Sequence, residues 1–335
     1  MTSGRQIKEL GQTGLHVTPM GLGLAALGRP GYINLGHAAD LNRDYRIEAM
    51  EAHTHTVLDA AWDLGLRYFD AARSYGRAEQ FLGSWLTSRQ IEADQVTVGS
   101  KWGYTYTAGW QVEAQKHEVK EHTLPVLQRQ IGESRALLGH YLDLYQIHSA
   151  TLDSGVLDNQ AVLDELARLR EGGLRIGLSL SGPKQADTLR RAMEIKIEGR
   201  LLFDTVQVTW NLLEPSAGGA LQEAHEAGMG VIVKEALANG RLTPRNDRLA
   251  FAAQRLLLDE LAAELGVGVD GLALAAVLAQ PWAGVVLSGA ATVEQLQANM
   301  AAFSVDWDDD LAGRLQSLAE TPQTYWAIRG DLDWN

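Results

Sequence analysis

The sequence of 335 residues contains no cysteine. That excludes disulfides, thiolate nucleophiles and cysteine-ligated metal sites. The absence fits a reducing compartment, and a cytoplasmic location is expected. Long apolar runs are missing too: no stretch of about 18 apolar residues occurs, so no membrane span or membrane partner is expected. The opening, MTSGRQIKEL, has no apolar run after its basic residues and does not read as a signal peptide. Positive charge is scarce. The 29 Lys and Arg stand against 42 Asp and Glu, a formal net charge of −13. Such a surface repels phosphate backbones and argues against nucleic acid as a partner. A small anionic molecule is not excluded, because a few cations and backbone N–H groups decide its binding. No low-complexity tract or linker interrupts the chain, so residues 1–335 read as one domain.

What is present is a rhythm. Short apolar runs lie at 20–24, 67–70, 96–100, 142–148, 175–179, 205–209, 230–234 and 284–287. Their length suits strands buried on both faces of a parallel sheet. Helical periodicity fills the gaps at 57–64, 78–86, 118–138, 159–171, 183–192, 217–227 and 293–303. Gly65, Gly172 and Gly228 stand where a helix C-terminus favours a left-handed residue. Eight such units predict an α/β fold, a (β/α)8 barrel of the TIM type. A doubly wound dinucleotide fold fits less well. Gly21, Gly23 and Gly28 lack the G-x-G-x-x-G spacing, and no helix follows them directly. Three segments stand outside the alternation: an expected N-terminal hairpin at 5–18, a polar insertion at 28–48 that should overhang the barrel mouth, and extra helices at 241–272 before the eighth strand. The tail, 323–335, carries Tyr325, Trp326 and Trp334, which predicts that it packs back near the substrate site.

Active groups of such barrels sit at the C-terminal ends of the strands. Asp70 ends the second strand and Tyr75 follows it; Lys101 ends the third and His148 the fourth. Alone, each has a plain structural role: a turn aspartate, a packed ring, a solvated lysine, a core histidine. Together they match one chemistry. Hydride addition to a carbonyl makes an alkoxide that needs a proton. A phenol can give it, and an ammonium nearby lowers the phenol's ordinary pKa of about 10. Lys101 would do this if Asp70 held it, and His148 would hydrogen-bond and orient the substrate oxygen. Metal ligation finds no support: His53 and His55 are not at a strand end, His140 precedes the fourth strand, and Asp308–Asp310 has the wrong spacing for calcium.

These motifs resemble the aldo/keto reductases over nearly the whole chain. Residues 8–18 are similar to that family's opening hairpin, 69–76 to its aspartate–tyrosine motif, 100–103 to its lysine motif and 143–148 to its histidine motif. The resemblance implies the barrel, a nicotinamide cofactor, and a catalytic set of Asp70, Tyr75, Lys101 and His148. It implies interconversion of a carbonyl (aldehyde, ketone or aldose) and an alcohol, with the tyrosine as general acid and base. It also implies a cofactor site. Ser179 and Gln207 correspond to carboxamide-binding positions, although Leu180 stands where Asn is expected, which loses one hydrogen bond or moves it to Ser181. Lys234 replaces a stacking aromatic and pairs either with pyrophosphate or with Glu235. Leu237, Gly240 and Arg241 fall in the loop over the pyrophosphate. Ser288, Gly289, Glu294, Gln297 and Asn299 fall at the adenosine site.

NADP-dependent members place Arg or Lys at that adenosine site. Here Ala291 and Gln295 stand in their place, and Glu294 would repel a 2′-phosphate, so NAD is favoured over NADP. Trp102, Trp210 and Asn211 are candidate substrate contacts. With Tyr104, Tyr106 and Trp110, Trp102 makes either an aromatic-lined mouth or a self-packed loop. The alternative function is a cofactor-binding, redox-sensing regulatory subunit, since potassium-channel β subunits also resemble this family.

Overall fold

The computed structural model describes residues 6–335. Residues 1–5, half of the opening that does not read as a signal peptide and the first residue of the expected hairpin, lie outside the described residues. The described chain opens with that hairpin, β1 (Lys8–Glu9) and β2 (His16–Val17). Then come β3 (Met20–Gly23), β4 (Tyr68–Asp70), β5 (Thr97–Trp102), a second hairpin of β6 (Tyr104–Tyr106) and β7 (Glu118–Lys120), β8 (Leu142–Ala150), β9 (Arg175–Leu180), a small pair β10 (Lys196–Ile197) and β11 (Arg200–Leu201), β12 (Thr205–Thr209), β13 (Gly230–Lys234) and β14 (Val285–Ser288). Strands β3, β4, β5, β8, β9, β12, β13 and β14 close into a parallel barrel, with β14 pairing back onto β3. This is the (β/α)8 architecture that the alternation predicts.

Helix α1 (His37–Asp40) lies in the insertion after β3. Helices α2 (Ile47–Asp63), α3 (Ala78–Ser88), α4 (Leu124–Leu138), α5 (Gln160–Glu171), α6 (Gln185–Met193) and α7 (Gly218–Glu226) follow successive barrel strands. After β13 come α8 (Ala252–Glu264) and α9 (Val269–Leu278), the extra helical segment expected there. Helix α10 (Val293–Met300) follows β14, and α11 (Asp309–Leu315) and α12 (Pro322–Gly330) end the chain. Two expectations need correction. Residues 118–138 are not one helix: 118–120 form a strand and α4 begins at Leu124. Pro125 is tolerated only in a first helical turn, so the helix cannot run back through it. Gly172 has an ordinary φ, and it is Gly173 that is left-handed, at φ +101°.

The period of two along each strand sorts the side chains. Phe69, Val98, Tyr145, Ile176, Val206 and Val231 face outward and pack with the helices. Tyr68, Leu144, Ile232 and Val285 face inward and meet Leu10 and Val17 of the hairpin, which closes the bottom of the barrel. The fit is tight enough to dictate Gly99, where a Cβ would lie 2.5 Å from the Tyr68 hydroxyl. The opposite end is roofed by three segments. The insertion pairs with the tail through Tyr32 and Asn335, which exchange backbone hydrogen bonds at 3.1 Å each way. It also bonds the loop after β13, Leu35 N–H to Asn239 C=O at 3.2 Å. Trp334 stacks on His117, with ring centroids 3.9 Å apart and planes 6° apart.

Candidate active site

A cavity of about 550 Å³ opens at the C-terminal ends of the barrel strands, under this roof. Asp70, Tyr75, His148, Gln207, Lys234 and Glu235 line one part of it, and Leu237, Gly240, Ser288, Gly289, Glu294 and Asn299 line another. The inward parity of β4 and β5 puts Asp70 and Lys101 on neighbouring strands, both buried. The Lys101 ammonium pairs with Asp70 Oδ2 and donates to the Ala71 carbonyl at 2.9 Å. It lies 4.7 Å from the centre of the Tyr75 ring. His148 meets the same ring edge-on, with centroids 5.4 Å apart. Asp70, Tyr75 and His148 therefore meet at the cavity wall, with Lys101 buried behind them.

Electrostatics reverse the expectation of a lowered Tyr75 pKa. Burial holds its hydroxyl well above the ordinary phenol range, and the Asp70 and Glu118 carboxylates push the same way, while Arg29 opposes them. The hydroxyl is thus a neutral proton donor rather than a ready phenolate. Burial, with Lys101, Arg29 and Lys234 nearby, holds His148 far below its usual value, so its imidazole is neutral. Burial draws Lys234 down to about 8, against the pull of Glu235. Its ammonium donates to Thr209 Oγ1 at 2.6 Å and lies 3.8 Å from the Glu235 carboxylate, the ion-pair alternative of the two left open by the sequence. Glu235 is held at about 2, chiefly because Arg329 of α12 and Lys234 outweigh its burial.

Residues 19–320 match the model of the Aldo/keto reductase family. The chain belongs to the aldo/keto reductase family. It is 26% identical over 312 residues to the uncharacterized oxidoreductase YqkF of Bacillus subtilis, covering 88% of this chain and 90% of that one. It is 25% identical to a pyridoxal 4-dehydrogenase of Microbacterium luteolum, covering 92% and 96%. It is 26% identical to an NADH-specific methylglyoxal reductase of Escherichia coli, covering 93% and 97%. The fold is that of the aldo-keto reductase AKR11C1 from Bacillus halodurans in its holo form, with a TM-score of 0.72 at 21% identity over 95% of this chain and 97% of that one. Aldo/keto reductases are oxidoreductases of carbonyl compounds that use nicotinamide cofactors, and this chain is an enzyme of that class. The alternative of a redox-sensing regulatory subunit is not favoured by relatives that carry enzyme names.

Several residues of this aldo/keto reductase do not lie where the sequence reading put them. Trp102 neighbours the inward Lys101, so parity turns it outward, and it is fully buried among the helices. Trp210 follows the inward Thr209 and packs outward on Trp282, its indole N–H donating to the Pro215 carbonyl at 3.1 Å. Asn211 is buried and occupied: its amide donates to the Glu235 carbonyl and the Tyr325 hydroxyl. Ser179 faces inward but does not line the cavity: its hydroxyl accepts from the Ser149 N–H at 2.8 Å and supports the irregular strand end after His148. Ser181, not Ser179, reaches the cavity wall. Arg241 turns away to pair with Glu320, and Gln297 lies on the exposed side of α10. Of the aromatics after β5, Tyr104 lines the cavity, 4.9 Å ring to ring from His148, whereas Trp110 packs on Phe81.

Other wall residues escaped the sequence reading. Arg29 is buried beside Tyr75, Tyr32 and Trp334, with its guanidinium 5.3, 5.0 and 4.8 Å from their ring centres, and pairs with Glu118. Arg329, Asp40 and Arg245 also line the cavity. The only signals available were coarse ones: the insertion's expected place over the mouth and the aromatic tail.

Proposed function

We propose that this enzyme interconverts a small aldehyde, ketone or aldose and the matching alcohol, with Tyr75 as the acid–base group and NAD(H) as the favoured cofactor. One observation carries the reading: the Tyr75 ring lies 4.7 Å from the Lys101 ammonium and 5.4 Å from the His148 ring, at the wall of a roofed cavity. The rest of that cavity fits a dinucleotide. It offers amide and hydroxyl groups from Gln207, Ser288 and Asn299, and a buried Asn239 Oδ1 that has no partner. Leu237, Gly240, Gly289 and Glu294 would form the adjoining walls. When bound, the nicotinamide supplies or accepts the hydride.

The protein's own groups do the remaining work. His148, neutral, donates a hydrogen bond to the substrate oxygen and fixes its direction. Tyr75 delivers its phenolic proton to that oxygen as negative charge develops there, and takes it back in the oxidative direction. Lys101, clamped by Asp70, stabilises the phenolate left behind. Lys234 and Glu235, tied to Thr209 and Arg329, hold the far wall. Tyr104, Tyr75 and Trp334 give the substrate side aromatic faces. Names of relatives add pyridoxal and methylglyoxal as first aldehydes to try.

Ala291 and Gln295 in place of cations, with Glu294 exposed beside them, favour NAD over NADP. Steady-state assays of an aldehyde and alcohol panel with both cofactors test the proposal. Turnover of an aldehyde with NADH, and slower turnover with NADPH, is expected. Tight cofactor retention without turnover of any member would overturn it in favour of a sensor.

A further inference from the structure

At the end of the cavity beside α10, three segments distant in sequence meet on one carboxylate. Asp40, the last residue of α1, is 8% exposed. Its Oδ2 accepts from Arg245 Nη1 at 2.7 Å, and its Oδ1 accepts from Arg245 Nη2. Oδ1 also accepts from Gln295 Nε2 at 2.9 Å. Gln295 is fixed at its other atom, where Oε1 accepts from the Ala291 N–H at 2.8 Å. Arg245 donates further to the Leu35 carbonyl at 3.1 Å. Asp40, Arg245 and Gln295 all line the cavity.

The charges at this end are one-sided. Among the described residues lining the cavity, the Lys and Arg side chains are Arg29, Lys234, Arg245 and Arg329. Arg29 stands over Tyr75, and Lys234 and Arg329 are tied to Glu235, so Arg245 is the cation beside α10. It pairs with Asp40, and Glu294 lies on the same cavity wall. A phosphate monoester on a ribose would need a guanidinium presented with two N–H groups. Arg245 turns both Nη atoms to Asp40, and its Nη1 also donates to the Leu35 and Gly36 carbonyls. A phosphate at its remaining N–H groups would share a guanidinium already neutralised by Asp40 and would stand beside that largely buried carboxylate. A ribose diol makes no such demand. A carboxylate has about four acceptor positions, so Asp40, with three hydrogen bonds, can still accept from a hydroxyl.

We propose that Asp40 determines the cofactor choice, by holding Arg245 in a paired form that rejects a 2′-phosphate and leaves room for a free ribose diol. The inference rests on reading the cavity as a nicotinamide dinucleotide site. Its test is therefore equilibrium binding of NADH and NADPH, followed by quenching of tryptophan fluorescence, with no substrate present. The wild-type protein should bind NADH at least about tenfold more tightly than NADPH. Asp40→Asn should release Arg245 and move the ratio toward NADPH by about tenfold or more, with NADPH bound more tightly than by the wild type. Arg245→Met in that background should cancel the gain. Wild-type preference for NADPH, or a ratio unmoved by Asp40→Asn, overturns the inference while leaving the cofactor reading intact. Failure of both dinucleotides to bind the wild type overturns both. Should Asp40→Asn not fold, Arg245→Met alone decides: unchanged NADPH affinity is expected, and a loss of about tenfold or more would show that Arg245 already serves the phosphate.

Discussion

Gln207 on β12 reaches across the barrel and donates to Asp70 Oδ1 on β4 at 2.9 Å. The Tyr68 hydroxyl donates to the same oxygen at 3.3 Å. The other oxygen, Oδ2, is left for the Lys101 ammonium. Asp70 is thereby split between neutral donors on one side and a cation on the other, and its orientation is fixed from two strands. A carboxylate so held keeps the ammonium pointed at the Tyr75 ring in a site that is otherwise hostile to charge. Burial and Asp70 itself make the Tyr75 hydroxyl hard to ionise, so the proton stays on the phenol until a developing alkoxide draws it off.

That arrangement makes Tyr75→Phe the most direct test of the acid–base assignment. The substitution removes one hydroxyl and keeps the ring against His148 and Lys101. kcat should fall by roughly 100- to 10,000-fold, the range of a lost general acid. NADH affinity, measured by fluorescence, should stay near the wild-type value. A variant retaining most of its turnover would remove Tyr75 from the chemistry.

The buried Asp70–Lys101 pair predicts a coupled stability effect. Lys101→Met leaves Asp70 without its cation in a place that excludes water, which should cost about 3–5 kcal/mol. Asp70→Asn in the same chain neutralises the stranded group, so the double variant should recover much of that loss. Urea unfolding of the two single variants and the double measures the coupling. Strict additivity would mean that the ion pair contributes nothing to the fold. Neither variant should turn over substrate at the wild-type rate.

Where sequence reading succeeded and failed follows from what each residue's position depends on. Asp70, Lys101 and His148 sit at strand ends, where apolar runs announce the strand and parity fixes the inward face. Their convergence is a property of the barrel and could be read from the rhythm. Trp102 lies outside the substrate site because adjacency to Lys101 in sequence means opposition in a strand. Asn211 and Arg241 failed because tertiary partners, Tyr325 and Glu320, lie more than a hundred and nearly eighty residues away. Arg29, Asp40 and Arg245 belong to irregular segments whose path no periodicity specifies. The helix wrongly drawn through 118–123 shows the same limit, since only Pro125 marks its true start.

Trp102 offers a check on that parity argument. Buried among the helices, it should matter to stability and not to substrate. Trp102→Ala should cost about 3–5 kcal/mol of unfolding free energy. Trp102→Phe, a smaller change, should leave KM within about twofold of wild type across the aldehyde panel. Tyr104, on the cavity wall, supplies the contrast, and Tyr104→Ala should move KM. A large KM change in Trp102→Phe, with unfolding unaffected, would return Trp102 to the substrate site.

Buried histidines make the fold sensitive to acid. His37, in α1, is fully buried; burial first, then Arg29 and Arg245, bring it to about 4 against an ordinary 6.5. His122 is likewise lowered to about 4, by burial and then Lys120. In the unfolded chain these rings take up protons below pH 6.5, whereas the folded protein resists until about 4. Stability from this source is therefore complete above 6.5 and is lost as pH falls through that window. Asp143, raised by burial to about 6, acts in the opposite sense, because the folded state binds its proton first. A comparison of variants isolates one histidine from that background. His37→Gln should reduce the slope of unfolding free energy against pH by up to about 1.4 kcal/mol per unit between 6.5 and 4. Urea unfolding at steps across this range measures it, and parallel wild-type and variant curves would show that His37 titrates no differently in the folded protein.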